Sequence, residues 1–232
     1  MNWNVGCCCN HCGVHTVGFW GAYDQTVWAV DFPSTWTKLK SRTSAKLSDC
    51  NVLVIGRYQF STPYSAQPTT SGDHSAVASW ITGGGVLFVI HEFYGTPGLV
   101  PVTPVDALNA SLAGIGTQAR AVTTVGPAPN ATDAPNNTTA TTVSHPLLNK
   151  VTKLSVSAPG HMSLGTSTLL FETRKSPSTA YVPILSIEAF GAGFVVFLSD
   201  YNVVNNFDAA ANAISGNKVE QLLCNLGEIS TN

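Results

Sequence analysis

Charge is what this sequence has least of. Charged residues make up 10% of the 232-residue chain, against ~25% in an average soluble domain. The net charge is −2 and no basic block occurs, which excludes the electrostatic footprint of a nucleic-acid binder. The chain also lacks an apolar run of about 18 residues, which excludes a helical membrane span. Its first residues, Met1-Asn2-Trp3-Asn4-Val5-Gly6-Cys7, have neither the basic start nor the apolar stretch of a secretory signal peptide. No internal repeat is present, so solenoids and propellers are excluded.

Hydrophobic residues are present at an ordinary 44%. A chain of this length fits one large domain and can bury roughly 70–75% of its unfolded surface, enough for a core without staples. Serine, threonine and asparagine take the surface places that charged residues usually hold. Such a surface is common in secreted and virion proteins. Combined with the missing export segment, it points to a virion or extracellular particle, a phage or virus component released by lysis. Asn-X-Ser/Thr sequons at Asn109, Asn130, Asn136 and Asn137 matter only on a eukaryotic secretory route, and in a chain this rich in Thr and Asn they arise by chance.

Val52-Leu53-Val54-Ile55 and Val86-Leu87-Phe88-Val89-Ile90 are short, β-branched and almost uninterrupted apolar runs, as expected of strands buried on both faces. Between them Ala76, Val77, Trp80 and Ile81 recur at helical spacing, and Gly83-Gly84-Gly85 stand where a helix C-cap is expected. This predicts a strand–helix–strand unit with adjacent, parallel, central strands. Further strands are expected over Val14–Trp20, Thr26–Phe32, residues 154–157, residues 168–171, Ile184–Ile187 and Phe194–Leu198, the last two joined as a hairpin through residues 188–193. Helices are expected from Pro33-Ser34-Thr35-Trp36 toward Leu47, over residues 104–113, and over Ala209–Leu226. Residues 57–72 and 121–143 read as loops. Residues 1–13 form a separate cysteine-rich leader, and 14–232 a single α/β domain.

Four local patterns resemble the class I glutamine amidotransferase-like superfamily, a flavodoxin-like fold. They are the strand Asp49–Gly56, the helix, glycine run and strand from Ala78 to Val89, the segment His145-Pro146-Leu147-Leu148-Asn149-Lys150-Val151, and Gly191-Ala192-Gly193-Phe194-Val195-Val196-Phe197-Leu198-Ser199-Asp200. The resemblance implies an α/β three-layer sandwich with a mostly parallel central sheet, a late β-hairpin and a C-terminal helix. Active members carry a cysteine on the elbow after the central strand. Here that position reads His91-Glu92-Phe93-Tyr94, so the resemblance implies the fold without its nucleophile. Cys50 precedes its strand and belongs at the wrong end of the sheet. Cys224, among apolar neighbours, reads as a buried inert thiol.

Two constellations carry possible chemistry. His91, Glu92, Asp200 and Asn202 fall at the carboxyl ends of two strands, where open α/β sheets bind ligands. They could bind a metal or polarise a water, or simply cap strand ends. Cys7, Cys9, Cys12 and His15 have the ligand types and close spacing for one zinc ion. Disulfides within the leader or between subunits, or no such role, are the alternatives. Trp20, Tyr23, Trp28, Phe32 and Trp36 crowd the first forty residues, as core, subunit interface or carbohydrate platform. Ser199 lacks the Gly-x-Ser-x-Gly context of a nucleophile elbow.

Three function classes follow. The first is a non-enzymatic structural or interaction protein, an oligomeric component of a phage or viral particle that meets other subunits through its loops and leader. The second is a hydrolase or sugar-active enzyme using the strand-end polar residues. The third is a ligand-binding module of an exported complex.

Overall fold

The computed structural model describes residues 14–20, 37–42, 44–56, 71–91, 103–122, 136–140, 143–152, 154–156, 160–174, 181–200, 203–204 and 219–230. The expected strands over Thr26–Phe32, the leader 1–13 and the start of the last expected helix, 209–218, lie outside them.

The strands are β1 (Thr16–Trp20), β2 (Thr37–Arg42), β3 (Val52–Gly56), β4 (Val86–Ile90), β5 (Arg120–Val122), β6 (Asn136–Ala140), β7 (Ser155–Val156), β8 (His161–Ser163), β9 (Thr168–Arg174), β10 (Tyr181–Phe190) and β11 (Gly193–Leu198). The α-helices are α1 (Ser71–Thr82), α2 (Thr103–Ile115) and α3 (Val219–Glu228), with short 3₁₀ turns at Ser44–Asp49 and Pro146–Leu148. Nine strands form one sheet in the order β2-β1-β3-β4-β11-β10-β9-β6-β7, and β5 pairs with β8 in a separate ribbon.

The first five strands of that order are parallel. Their sequence, with β11 in fifth place, is the flavodoxin-like order. Val52 pairs with Val86 and Gly56 with Ile90, so β3 and β4 are adjacent, parallel and in register as expected. Beyond β11 the sheet continues antiparallel through β10, β9, β6 and β7.

Because side chains alternate along a strand, the two faces of the sheet build two cores. Val17, Val52, Val54, Val86, Phe88, Ile90, Val196 and Leu198 pack with Leu222, Leu223, Leu226 and Ile229 at α3. Leu53, Ile55, Leu87, Val89, Val195 and Phe197 pack with Val77 and Ile81 of α1 and Leu108 and Leu112 of α2. The result is the three-layer α/β sandwich with a parallel centre, a late hairpin and a C-terminal helix. No helix among the described residues is long and apolar enough to cross a membrane.

The glycine run closes α1 in a Schellman arrangement. Gly85 N–H donates to the Trp80 carbonyl at 3.1 Å and Gly84 N–H to the Ile81 carbonyl at 2.9 Å. Gly84 takes φ 121°, a conformation costly for any residue with a Cβ. The hairpin turns on Gly191-Ala192, with Gly191 at φ 67°, the first central position where a type II′ turn needs positive φ.

Three expectations are corrected. The segment after Pro33 does not give a short helix: Thr37–Arg42 is strand β2, followed by the 3₁₀ turn at Ser44–Asp49. The open side of β1 needs hydrogen-bond partners, and β2 supplies them by parallel pairing, a tertiary demand that overrides local helix signals. Residues 121–143 are not all loop, since β5 reaches Val122 and β6 covers Asn136–Ala140. Cys224 is disulfide-bonded rather than a thiol.

Gly193 opens β11 where a Cβ would fall on the carbonyl oxygens of Gly85 and Ile81. Neither is a flexible side-chain end, so Gly193→Ala is expected to destabilise the fold by about 2–3 kcal/mol. Urea unfolding monitored by tryptophan fluorescence measures this.

Candidate functional site

The carboxyl ends of β4 and β11 bring one sequence-predicted pair together. Leu198 is the register partner of Ile90, so the residues that follow, His91 and Ser199-Asp200, emerge side by side. His91 N–H donates to the Leu198 carbonyl at 2.8 Å. Glu92 and Asn202, the other two members of the predicted set, lie outside the described residues.

This edge is closed from above. Asn109 on α2 holds β5 as a strand would, its Nδ2 donating to the Ala121 carbonyl at 2.8 Å and its Oδ1 accepting from the Ala121 N–H at 3.0 Å. The Asn109 sequon amide is therefore engaged in the fold. Gly160 N–H donates to the Ser199 carbonyl at 2.6 Å and so seats β8 at the end of β11. Val122 of β5 and His161 of β8 are register partners, and both act on His91.

His91 is consequently 1% exposed. Its ring stands edge-on to Phe197, centroids 6.3 Å apart. Burial pushes its pKa down from 6.5 to about 3, with a smaller lowering from nearby His161, while a hydrogen bond to the Val122 backbone pulls the other way. The imidazole is neutral at physiological pH. Its Nδ1 is buried and makes no hydrogen bond among the described residues, a cost smaller than burying the charged ring would carry.

The neighbours are also committed to structure. The Ser199 hydroxyl donates to the Pro183 carbonyl at 2.8 Å and its N–H to the Ile184 carbonyl at 2.9 Å. Asp200 is fully buried, and its carbonyl accepts from Val203 N–H at 3.3 Å. Cys50 is buried and precedes β3, at the amino end of the parallel strands.

The His145-Pro146 segment has a structural task. His145 Nδ1 caps the 3₁₀ turn by accepting from Leu147 N–H at 3.1 Å, with Pro146 opening the turn. Asn225 on α3 then donates to the Leu147 and Asn149 carbonyls at 2.9 and 2.8 Å. Burial lowers the His145 pKa as well. Sequence reasoning missed Asn225 and also Glu188, a buried carboxylate that accepts from Gln118 N–H at 2.9 and 3.2 Å. A polar residue inside an apolar helix or strand pattern was the available signal for both.

Of the predicted zinc set, His15 is described and Cys7, Cys9 and Cys12 are not. His15 Nε2 lies 3.3 Å from Glu228 Oε1 at the end of α3. No group of three metal-ligating residues occurs among the described residues.

No protein-family model and no curated protein matches the chain. Solved structures share the fold. The cytoplasmic protein STM1381 from Salmonella typhimurium LT2 aligns with TM-score 0.53 at 11% identity, covering 93% of this chain and 100% of its own. The cytoplasmic protein STM3548 from Salmonella typhimurium gives 0.54 at 10%, covering 93% and 98%. The mmIFT52 N-terminal domain gives 0.56 at 13%, covering 90% and 97%. At such identities the likeness shows the fold alone.

The folded His91 binds its proton only near pH 3, whereas the unfolded ring binds it near 6.5. Between those values the unfolded chain holds more protons, so this contribution to stability is complete above about pH 6.5 and is lost as the pH falls toward 3. His91→Gln is expected to flatten that acid limb relative to wild type. Urea midpoints measured from pH 7.5 to 4 test it.

Proposed function

We propose that this chain is a non-enzymatic structural or interaction protein built on a flavodoxin-like, amidotransferase-like domain that lacks the catalytic cysteine. The observation that carries this reading is the closure of the carboxyl edge of β4 and β11 by the β5–β8 ribbon. The elbow position holds a neutral histidine, fully buried and packed against Phe197. A nucleophile or general base must reach its substrate, and His91 sits under two strands. Ser199 spends its hydroxyl on a backbone carbonyl.

The low charge and the Thr/Ser/Asn-rich surface support the kind of assembly. Weak self-repulsion suits closely packed, polar subunit contacts, as in a phage or viral particle holding many copies. The partners in this reading are other protein subunits, and the setting is a virion or other extracellular particle.

The expected outcome is no ammonia release from glutamine and no aglycone release from aryl glycosides above a protein-free blank. Light scattering of the native protein is expected to give a mass of several chains. Turnover that disappears in His91→Gln would overturn the non-enzymatic reading. A stable monomer, or contacts burying less than about 800 Å² in total, would overturn the assembly reading.

A further inference from the structure

The β5–β8 ribbon covers the carboxyl edge of β4 and β11 with very little structure. Each of its strands has three residues, and a two-stranded ribbon of that size does not hold itself together in water. Of its six residues Ala121 and Met162 are buried, while Val122 is 40% exposed. Ties to the body of the domain therefore keep it in place, and they fall into two groups.

The first group lies at the base, where the chain enters β5 and leaves β8. Glu188 of β10 accepts from the Gln118 N–H at 2.9 Å and from the Ser167 hydroxyl at 3.4 Å. One buried carboxylate thus holds the roots of both strands. Gly165, at φ 55°, sits so close that a Cβ there would fall on the backbone of Gln118. Arg120 stiffens the entry by donating to the Thr117 and Ala119 carbonyls at 2.6 and 2.7 Å. The second group lies toward the tip. Asn109 takes both backbone groups of Ala121, Gly160 N–H donates to the Ser199 carbonyl, and His91 hydrogen-bonds the Val122 backbone. The tip bonds are individually modest, whereas the base combines a charged acceptor with close packing.

We propose that the ribbon is a flap, hinged at the base formed by Gln118, Gly165 and Glu188, which opens as one unit ahead of the rest of the domain and uncovers His91. Pivoting about that base breaks the tip bonds and exposes Ala121 and Met162, while the two cores on the faces of the sheet stay intact. Elements that move are drawn from the low-stability end of a fold, and a ribbon with two buried side chains belongs there. The closed flap makes the end of β4 a packed interior. The open flap returns it to the position in which open α/β sheets take ligands. This goes beyond the functional reading above, which concerns the closed state, and its test reads neither turnover nor mass.

Residue-resolved amide hydrogen exchange on the full chain, at neutral pH and in urea below the unfolding transition, tests it. Ala121 and Gly160 are expected to be protected at least about tenfold less than Gln118 and β4, with a shallower urea dependence. Asn109→Ala is expected to speed exchange about tenfold or more at Ala121 and about tenfold at Gly160, whose tie runs to Ser199, with Gln118 and β4 unchanged. Carbethoxylation of His91 by diethyl pyrocarbonate, followed by mass spectrometry, is expected to accelerate by the same factor as Gly160. One shared protection and urea dependence for the ribbon and β4 would overturn the flap. So would Gln118 exchanging together with Ala121, or an Asn109→Ala effect confined to Ala121. A His91 reaction rate that does not follow Gly160 would overturn the uncovering. If Asn109→Ala fails to fold, the wild-type exchange pattern still gives the answer.

Discussion

Strand β4 is the constraint on which the other elements depend. All five of its residues are buried, and it is paired on both sides, with β3 and with β11. Val86, Phe88 and Ile90 feed one core while Leu87 and Val89 feed the other. A one-residue slip would exchange the two sets and present Phe88 to the face built for Leu87 and Val89. Both helical layers take their position from this alternation. The glycines around it follow from the same crowding. Gly85 lets the Trp80 ring lie where a Cβ would stand, and Gly193 lets β11 start against the carbonyls of the preceding turn.

The end of β4 then decides what the domain can do. In an open parallel sheet, the carboxyl edge is where ligands bind. Here the edge at β4 and β11 is occupied by the protein itself. Asn109 and Gly160 anchor the β5–β8 ribbon, and His91 lies beneath it. Of the residues that suggest a site in one dimension, His91 and Asp200 are buried at this strand end. Burial holds His91 neutral, and the acid sensitivity this brings acts on folding stability.

Legibility in the sequence tracked how local each cause was. β3, α1, β4 and the β10–β11 hairpin could be read because two-sided burial and turn chemistry are written in contiguous residues. Gly83–Gly85 and Gly191 announced their turns directly. β2 could not be read, because its strand state comes from the open edge of β1 and not from its own pattern. β5 and β8 are three residues each, too short for periodicity to register, yet they determine whether His91 sees solvent. The His145-Pro146 pattern was recognised for its resemblance, while its physical role needs Asn225 from far along the chain.

The two halves of the sheet place different demands on any partner. The parallel half is sandwiched between helical layers, so its faces are already used. The antiparallel half ends in β7, a strand of only two residues. So short an edge offers a neighbouring chain little backbone to pair with, which is one way proteins avoid edge-to-edge association. Glu228, with His15 against it, shows that the end of α3 already receives the chain that leads into β1. That end of the domain is built from both ends of the described chain.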